Sequence, residues 1–192
     1  MITAEAEREK YRKIWAIPGY RSNSPGESLV STFIKQAKWY KGDSLLDAGC
    51  GTGRAGLALH RADIRVTLLD LCETSVDPAP REALPFMQAC LWDLRTELIL
   101  PFTWVYCCDV LEHIPTEHVD AVLDNLAKLG VKGVFMQIAL WADAWGDKIG
   151  ETLHLTVQPP AWWMEKITAR WPVEYHVMSR DGRLIVLTGE PK

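Results

Sequence analysis

The chain has 192 residues, 48% of them hydrophobic and 24% charged, with a formal charge of −4. That is enough chain for one sizeable core, and its mild acidity argues against a surface dominated by phosphate-binding bases. No apolar run approaches the roughly 18 residues of a bilayer span. The mixed-charge segment Met1–Arg8 does not read as secretory, so the expected location is cytoplasmic. Five cysteines, none in C-x-x-C spacing, are expected as reduced thiols rather than a zinc site.

The first 43 residues carry a net charge of +3, including Arg8, Lys10, Arg12, Lys13 and Arg21. We read this excess as the solvated face of an amphipathic helix. Thr3 is placed to cap a helix running to about Trp15. Ile17-Pro18-Gly19-Tyr20 breaks it. Ser24-Pro25-Gly26-Glu27 has the spacing of a capping box, and Leu29, Val30, Phe33, Ile34 and Ala37 follow at helical intervals.

From Ser44 strands and helices alternate. Ser44–Ala48 is an expected strand, Thr52–His60 a helix, and Arg65–Leu69 a strand ending at Asp70. A proline-marked loop (Pro78, Pro80, Pro85) leads to weakly signalled Phe86–Cys90, then to apolar Phe102–Cys108. Thr116–Leu129 is a helix stopped by Gly130, and Val131–Leu140 a fifth strand. Pro160–Arg170 reads as a helix. Val173–Met178 and Leu184–Thr188 are strands joined through Asp181-Gly182, a strong hairpin signal. The pattern predicts an α/β fold: a Rossmann-like three-layer sandwich whose seven-stranded, mostly parallel sheet ends in an antiparallel hairpin. We expect one domain, with residues 1–43 as a helical cap and 44–192 as the core.

Chemistry enters at Asp47-Ala48-Gly49-Cys50-Gly51-Thr52-Gly53. A strand feeds a tight glycine turn from which a helix opens, so backbone can approach a ligand closely and free N–H groups can hold an anion. Gly51 to Gly56 also fits the dinucleotide pattern G-x-G-x-x-G, and Asp70, 19 residues beyond Gly51, suits a ribose in either case. Asp47 before the turn favours a cofactor bearing an ammonium group. Asp93, flanked by Trp92 and Leu94, is placed to receive an adenine amino group.

Together the glycine motif, Asp70, Asp93 and Asp109-Val110-Leu111-Glu112-His113-Ile114-Pro115 resemble the class I S-adenosylmethionine-dependent methyltransferases, in particular the branch acting on small molecules. The resemblance covers about residues 44–140. It implies that Gly49, Cys50, Gly51 and Gly53 bed the methionine end, with Asp47 near its ammonium. It implies Asp70 and Leu71 at the ribose, and Trp92, Asp93 and Leu94 at the adenine. Cys108 and Asp109 would close over the cofactor, with Tyr20 and Arg21 from the N-terminal side. S-adenosyl-L-methionine is the implied cofactor and S-adenosyl-L-homocysteine its product.

Methyl transfer needs alignment and desolvation, and a base only for a protonated acceptor. His113 and His154 are the expected catalytic side chains. Asp109, Glu112 and His113 share one face if helical, and with His154 they offer an oxygen/nitrogen set; we assign no metal. Trp141, Trp145, Trp162, Trp163 and Trp171 cluster after the fifth strand. Trp162 and Trp163 are expected to pack the last helix, and 141–152 to form a lid-like loop. The expected acceptor is a small molecule methylated on oxygen or nitrogen, with no membrane partner, nucleic acid not expected, and a monomer or homodimer. Two alternatives stand: metal-assisted methylation of an RNA or nucleotide hydroxyl, or a non-catalytic cofactor-binding module.

Overall fold

The computed structural model describes residues 2–192. Helix α1 (Ala4–Trp15) starts where expected, with Thr3 Oγ1 accepting from Ala6 N–H at 3.2 Å. A short helix α2 (Pro18–Arg21) follows, where the sequence suggests only a break; Pro18 sits in its first turn, where a missing N–H is harmless. The capping box at Ser24 does not form. Pro25–Leu29 is a 3-10 turn closed by Glu27 N–H to Ser24 O, and the Ser24 hydroxyl faces Thr52 instead. The turn runs into α3 (Val30–Gln36).

The core then alternates: β1 (Ser44–Ala48), α4 (Arg54–Arg61), β2 (Arg65–Asp70), α5 (Pro78–Ala83), β3 (Phe86–Gln88), β4 (Phe102–Cys108), α6 (Val119–Leu129), β5 (Gly130–Ile138), α7 (Pro160–Arg170), β6 (Val173–Met178) and β7 (Leu184–Thr188). Helix α5 lies where the sequence suggests a loop, because both of its prolines fall in the first turn.

The strands form one seven-stranded sheet in the order β3-β2-β1-β4-β5-β7-β6. Neighbours from β3 to β5 pair in parallel; β7 runs antiparallel between β5 and β6, with Phe135 opposite Leu187. Alternate residues of the central strands feed two cores. Leu46, Val105, Val134 and Val186 pack under α6 and α7, where Trp163, Ile167 and Trp171 are fully buried. Leu45, Leu68, Tyr106, Phe135 and Leu187 pack under α3 and α4 against Phe33 and Leu59. Burial on both faces explains the near-continuous apolar runs. The five cysteines are free thiols, and no helix of the described residues is long and apolar enough to cross a membrane.

Candidate active site

The turn after β1 is pinned to the end of β2: Gly49 and Cys50 N–H both donate to Leu69 O, at 2.8 and 2.9 Å. Gly49 has φ +73°, and a Cβ there would stand 2.5 Å from Val110 Cγ2, so neither the backbone nor the space admits a side chain. Gly53, φ +74°, serves packing instead. Its Cβ would meet Pro80 at 2.8 Å and Leu68 at 3.1 Å, so it seats the start of α4 against β2 and α5.

Two acids flank the turn. Asp70 Oδ2 accepts from Gly51 N–H at 2.8 Å and Oδ1 from Cys72 N–H at 2.9 Å. Burial lifts its carboxyl to about 6 against these hydrogen bonds. Asp47 is buried, and its Oδ2 has no hydrogen-bond partner. Burial raises it to about 7, opposed by the Gly56 N–H in the first turn of α4 and assisted by the charge of Asp70.

Two cavities meet above this turn, at the carboxyl ends of the strands. Trp15, Tyr20, Gly49, Gly51, Asp109 and His113 line both. The smaller, about 100 Å³, is walled by Asp70, Leu71, Leu91 and Trp92 and covered by Glu7 and Tyr11 of α1. The larger, about 400 Å³, takes in Asp47, Cys50 and Cys108 and is closed on the far side by Trp141, Asp143, Trp145, His154 and Arg183. Tyr20 wedges between Trp15 and Trp145, with ring centroids 4.7 and 5.8 Å away. Trp145 thus docks the 141–152 segment, which contains a 3-10 turn at Gly146–Ile149, onto α2.

Asp109, directly after β4, has φ +52° and is held from several sides. Its N–H donates to Gln137 O at 2.9 Å, and its Oδ1 pairs with Arg183 Nε at 3.1 Å. The Gln137 amide, oriented to satisfy both groups, donates to Asp109 Oδ2 at 2.9 Å and accepts from Arg183 Nε at 3.3 Å. Arg183 also lies 4.8 Å above the Trp141 ring. The left-handed backbone at Asp109 and the 3-10 turn Leu111–His113 mean that Asp109, Glu112 and His113 do not share a helical face.

They converge nonetheless. Glu112 is fully buried, and its Oε1 accepts from Ala139 N–H at 3.0 Å. His113 Nδ1 lies 2.7 Å from the Tyr11 hydroxyl and 3.1 Å from Leu153 O; burial, the neighbouring His154 and Lys10 drop it to about 3. His154 Nδ1 donates to Trp141 O at 2.6 Å.

Four expected cofactor residues fall outside both cavities. Gly53 lies behind the turn. Arg21 is consumed by the carbonyls of Thr74, Ser75 and Val76 and by Asp77, so its guanidinium ties α2 to the loop after β2. Asp93 is exposed at the end of a 3-10 turn, and Leu94 packs against the α6-side core. The N-terminal bases are also committed: Arg8 to Glu5, Lys10 to Glu7 and Arg12 to Glu9. Arg183, Asp143 and Gln137 are site residues that local sequence does not reveal. Arg183 arrives only because the terminal hairpin inserts β7 beside β5.

A parallel sheet with a glycine turn after its first strand, an acid ending its second and an antiparallel seventh strand defines a Rossmann-like cofactor-binding domain of the methyltransferase type. Residues 45–133 match the family model described as methyltransferase domain. The chain is similar to the chloroplastic magnesium protoporphyrin IX methyltransferase of Arabidopsis thaliana, 32% identical over 106 residues, which is 51% of this chain and 33% of that protein. The match thus spans about a third of that relative's length. Its fold is similar to that of magnesium protoporphyrin IX methyltransferase from Synechocystis PCC 6803, solved with bound S-adenosylhomocysteine (TM-score 0.68, 21% identity, 95% of this chain and 93% of that one). It is also similar to N-methyltransferase NodS from Bradyrhizobium japonicum WM9, in complex with S-adenosylhomocysteine (TM-score 0.70, 15% identity, 96% and 98%).

Proposed function

We propose that this chain binds S-adenosylmethionine and transfers its methyl group to an oxygen or nitrogen of a small-molecule acceptor. The observation that carries the reading is the pair of buried acids around a turn with no room for side chains. Asp47 sets a buried carboxylate on the wall of the larger cavity beside the turn, where an ammonium group would pair with it. Asp70 fixes the turn through Gly51 and keeps acceptor capacity for ribose hydroxyls. Leu71, Leu91 and Trp92 supply the apolar walls that suit an adenine ring. A nicotinamide dinucleotide carries no ammonium and gives Asp47 no partner. The relatives named above, a protoporphyrin methyltransferase and an N-methyltransferase, support a small-molecule acceptor without deciding between oxygen and nitrogen.

When bound, the cofactor supplies a methyl group activated by a sulfonium leaving group. The chain's own residues then have to bind, align and keep water out. Trp141, Trp145 and Tyr20 wall the larger cavity and suit a flat or partly apolar acceptor. Asp109, His113 and His154 are the polar groups on that side, with Arg183 and Gln137 holding Asp109 in its left-handed conformation. The test is ligand-dependent stability. S-adenosylhomocysteine is expected to raise the melting temperature, since a ligand that binds only the native state stabilises it, while NADH leaves it unchanged. A shift with NADH and none with S-adenosylhomocysteine would overturn the reading.

A further inference from the structure

Three polar side chains near the larger cavity face one another, and one of them has an oxygen without a partner. Glu112 Oε2 is buried and unpaired, although Oε1 of the same carboxyl is satisfied by Ala139 N–H. The rings of His113 and His154 stand edge to face, 4.7 Å between centroids. One ligand-capable atom from each of Glu112, His113 and His154 lies within 4.8 Å of the others.

The two imidazoles are oriented alike. Each Nδ1 meets a backbone carbonyl, Leu153 O for His113 and Trp141 O for His154. A carbonyl only accepts, so His154 Nδ1 carries the proton and its Nε2 the lone pair; at His113 a proton on Nδ1, shared between Leu153 O and the Tyr11 hydroxyl oxygen 2.7 Å away, leaves Nε2 free in the same way. A carbonyl behind the distal nitrogen is the arrangement that orients metal-binding histidines. The nearby cations are already neutralised, Lys10 by Glu7 at 2.6 Å and Arg183 by Asp109 at 3.1 Å. A proton on Glu112 would satisfy its free oxygen alone; a cation engages the carboxylate and both imidazoles at once.

We propose that Glu112, His113 and His154 form a binding site for one borderline divalent cation of the Zn²⁺ type, with a coordination position left open toward the larger cavity. Two nitrogens and one oxygen suit such an ion rather than Mg²⁺ or Ca²⁺, which take oxygen. Three protein ligands with an open position is the pattern of a reactive site rather than a structural one. His113 and His154 both line the cavity, so the open position is reachable from the acceptor side. Bonds of about 2.0–2.2 Å require the three atoms to close by roughly an ångström, within reach of torsions in half-buried His154. Only the use of the ion rests on the methyl-transfer reading. There it would hold an acceptor hydroxyl and ease loss of its proton to water, and the oxygen would form its bond to the methyl carbon as the carbon–sulfur pair returns to sulfur.

The experiment titrates metal-free protein with Zn²⁺ by calorimetry and with Co²⁺ as a visible-absorption probe. The wild type is expected to bind one equivalent, with the intense Co²⁺ spectrum of a site of fewer than six ligands. Glu112→Gln and His154→Gln are each expected to weaken binding about a hundredfold, at the upper end of what even outer partners of metal ligands cost. Both should still be stabilised by S-adenosylhomocysteine. If Glu112→Gln does not fold, His154→Gln at its half-buried position carries the test. Absence of stoichiometric Zn²⁺ binding by a wild type that S-adenosylhomocysteine still stabilises would overturn the site and leave the cofactor reading intact. Wild-type affinity in both variants would overturn it equally.

Discussion

The carboxylate of Asp70 holds the backbone of Gly51, with Oδ2 accepting the glycine N–H at 2.8 Å. One side chain thereby ties the end of β2 to the turn after β1. It also stays at the wall of the smaller cavity, so in the proposed function shaping the turn and receiving ribose hydroxyls would be one task. Asp70→Ala is expected to weaken S-adenosylhomocysteine binding by about 10- to 100-fold, the range of hydrogen bonds to a charged group. Asp70→Asn, which keeps one acceptor, should fall between. Calorimetric titration checks both, and unchanged affinity in the alanine variant would remove Asp70 from the site.

Gly49 permits no side chain. Gly49→Ala forces a left-handed alanine against Val110, 2.5 Å from Cγ2. The expected cost is about 2–3 kcal/mol, or roughly 4–12 °C in melting temperature for a chain of this size. Scanning calorimetry measures it, and a shift below a degree would mean that the turn relaxes freely.

The pH dependence of stability and of binding should run in opposite directions. Burial raises Asp47 to about 7 and Asp70 to about 6, from an ordinary 3.8. Between pH 4 and 7 the folded chain therefore holds protons that the unfolded chain has released. The stability they contribute is full below pH 4 and is lost as pH rises through 6 and 7. The ligand-free melting temperature should accordingly gain from these groups as pH falls from 8 to 5. Cofactor affinity should do the reverse, because holding an ammonium requires ionised Asp47. It is expected to fall by up to about tenfold per unit below pH 7. Asp47→Asn should flatten that profile, and a steep profile surviving in the variant would assign the proton elsewhere.

The Tyr106 hydroxyl donates to Gly26 O at 2.6 Å in a buried setting, fastening the turn before α3 to β4. Tyr106→Phe leaves that carbonyl unpaired and should cost about 1–3 kcal/mol. Amide exchange near Gly26 should also quicken, because this segment lines the larger cavity. Protection equal to wild type would contradict the anchoring role.

Sequence patterning is most faithful where burial is strongest. β1, β4, α7 and both hairpin strands have the expected limits, because their apolar runs are dictated by two-sided or one-sided packing. It failed where proline is ambiguous. Pro78 and Pro80 look like loop punctuation, yet they start α5. At the site, Asp47, Gly49, Gly51 and Asp70 are legible because strand, turn and acid are contiguous in the chain. Gly53 lies against Pro80 and Leu68, and Arg21 against Asp77 and the loop after β2, placements that only tertiary packing decides. The left-handed Asp109 is invisible locally, since Gln137 and Arg183, from two other strands' neighbourhoods, stabilise it.

The central claim is that the Gly49–Gly53 turn and its two acids hold S-adenosylmethionine. A crystal structure with S-adenosylhomocysteine bound tests it most directly. The expected result has the ribose hydroxyls on Asp70, the ammonium beside Asp47, the adenine against Leu71 and Trp92, and the sulfur where the two cavities join. S-adenosylhomocysteine bound elsewhere, or a turn left empty at a concentration that saturates the protein, would contradict it.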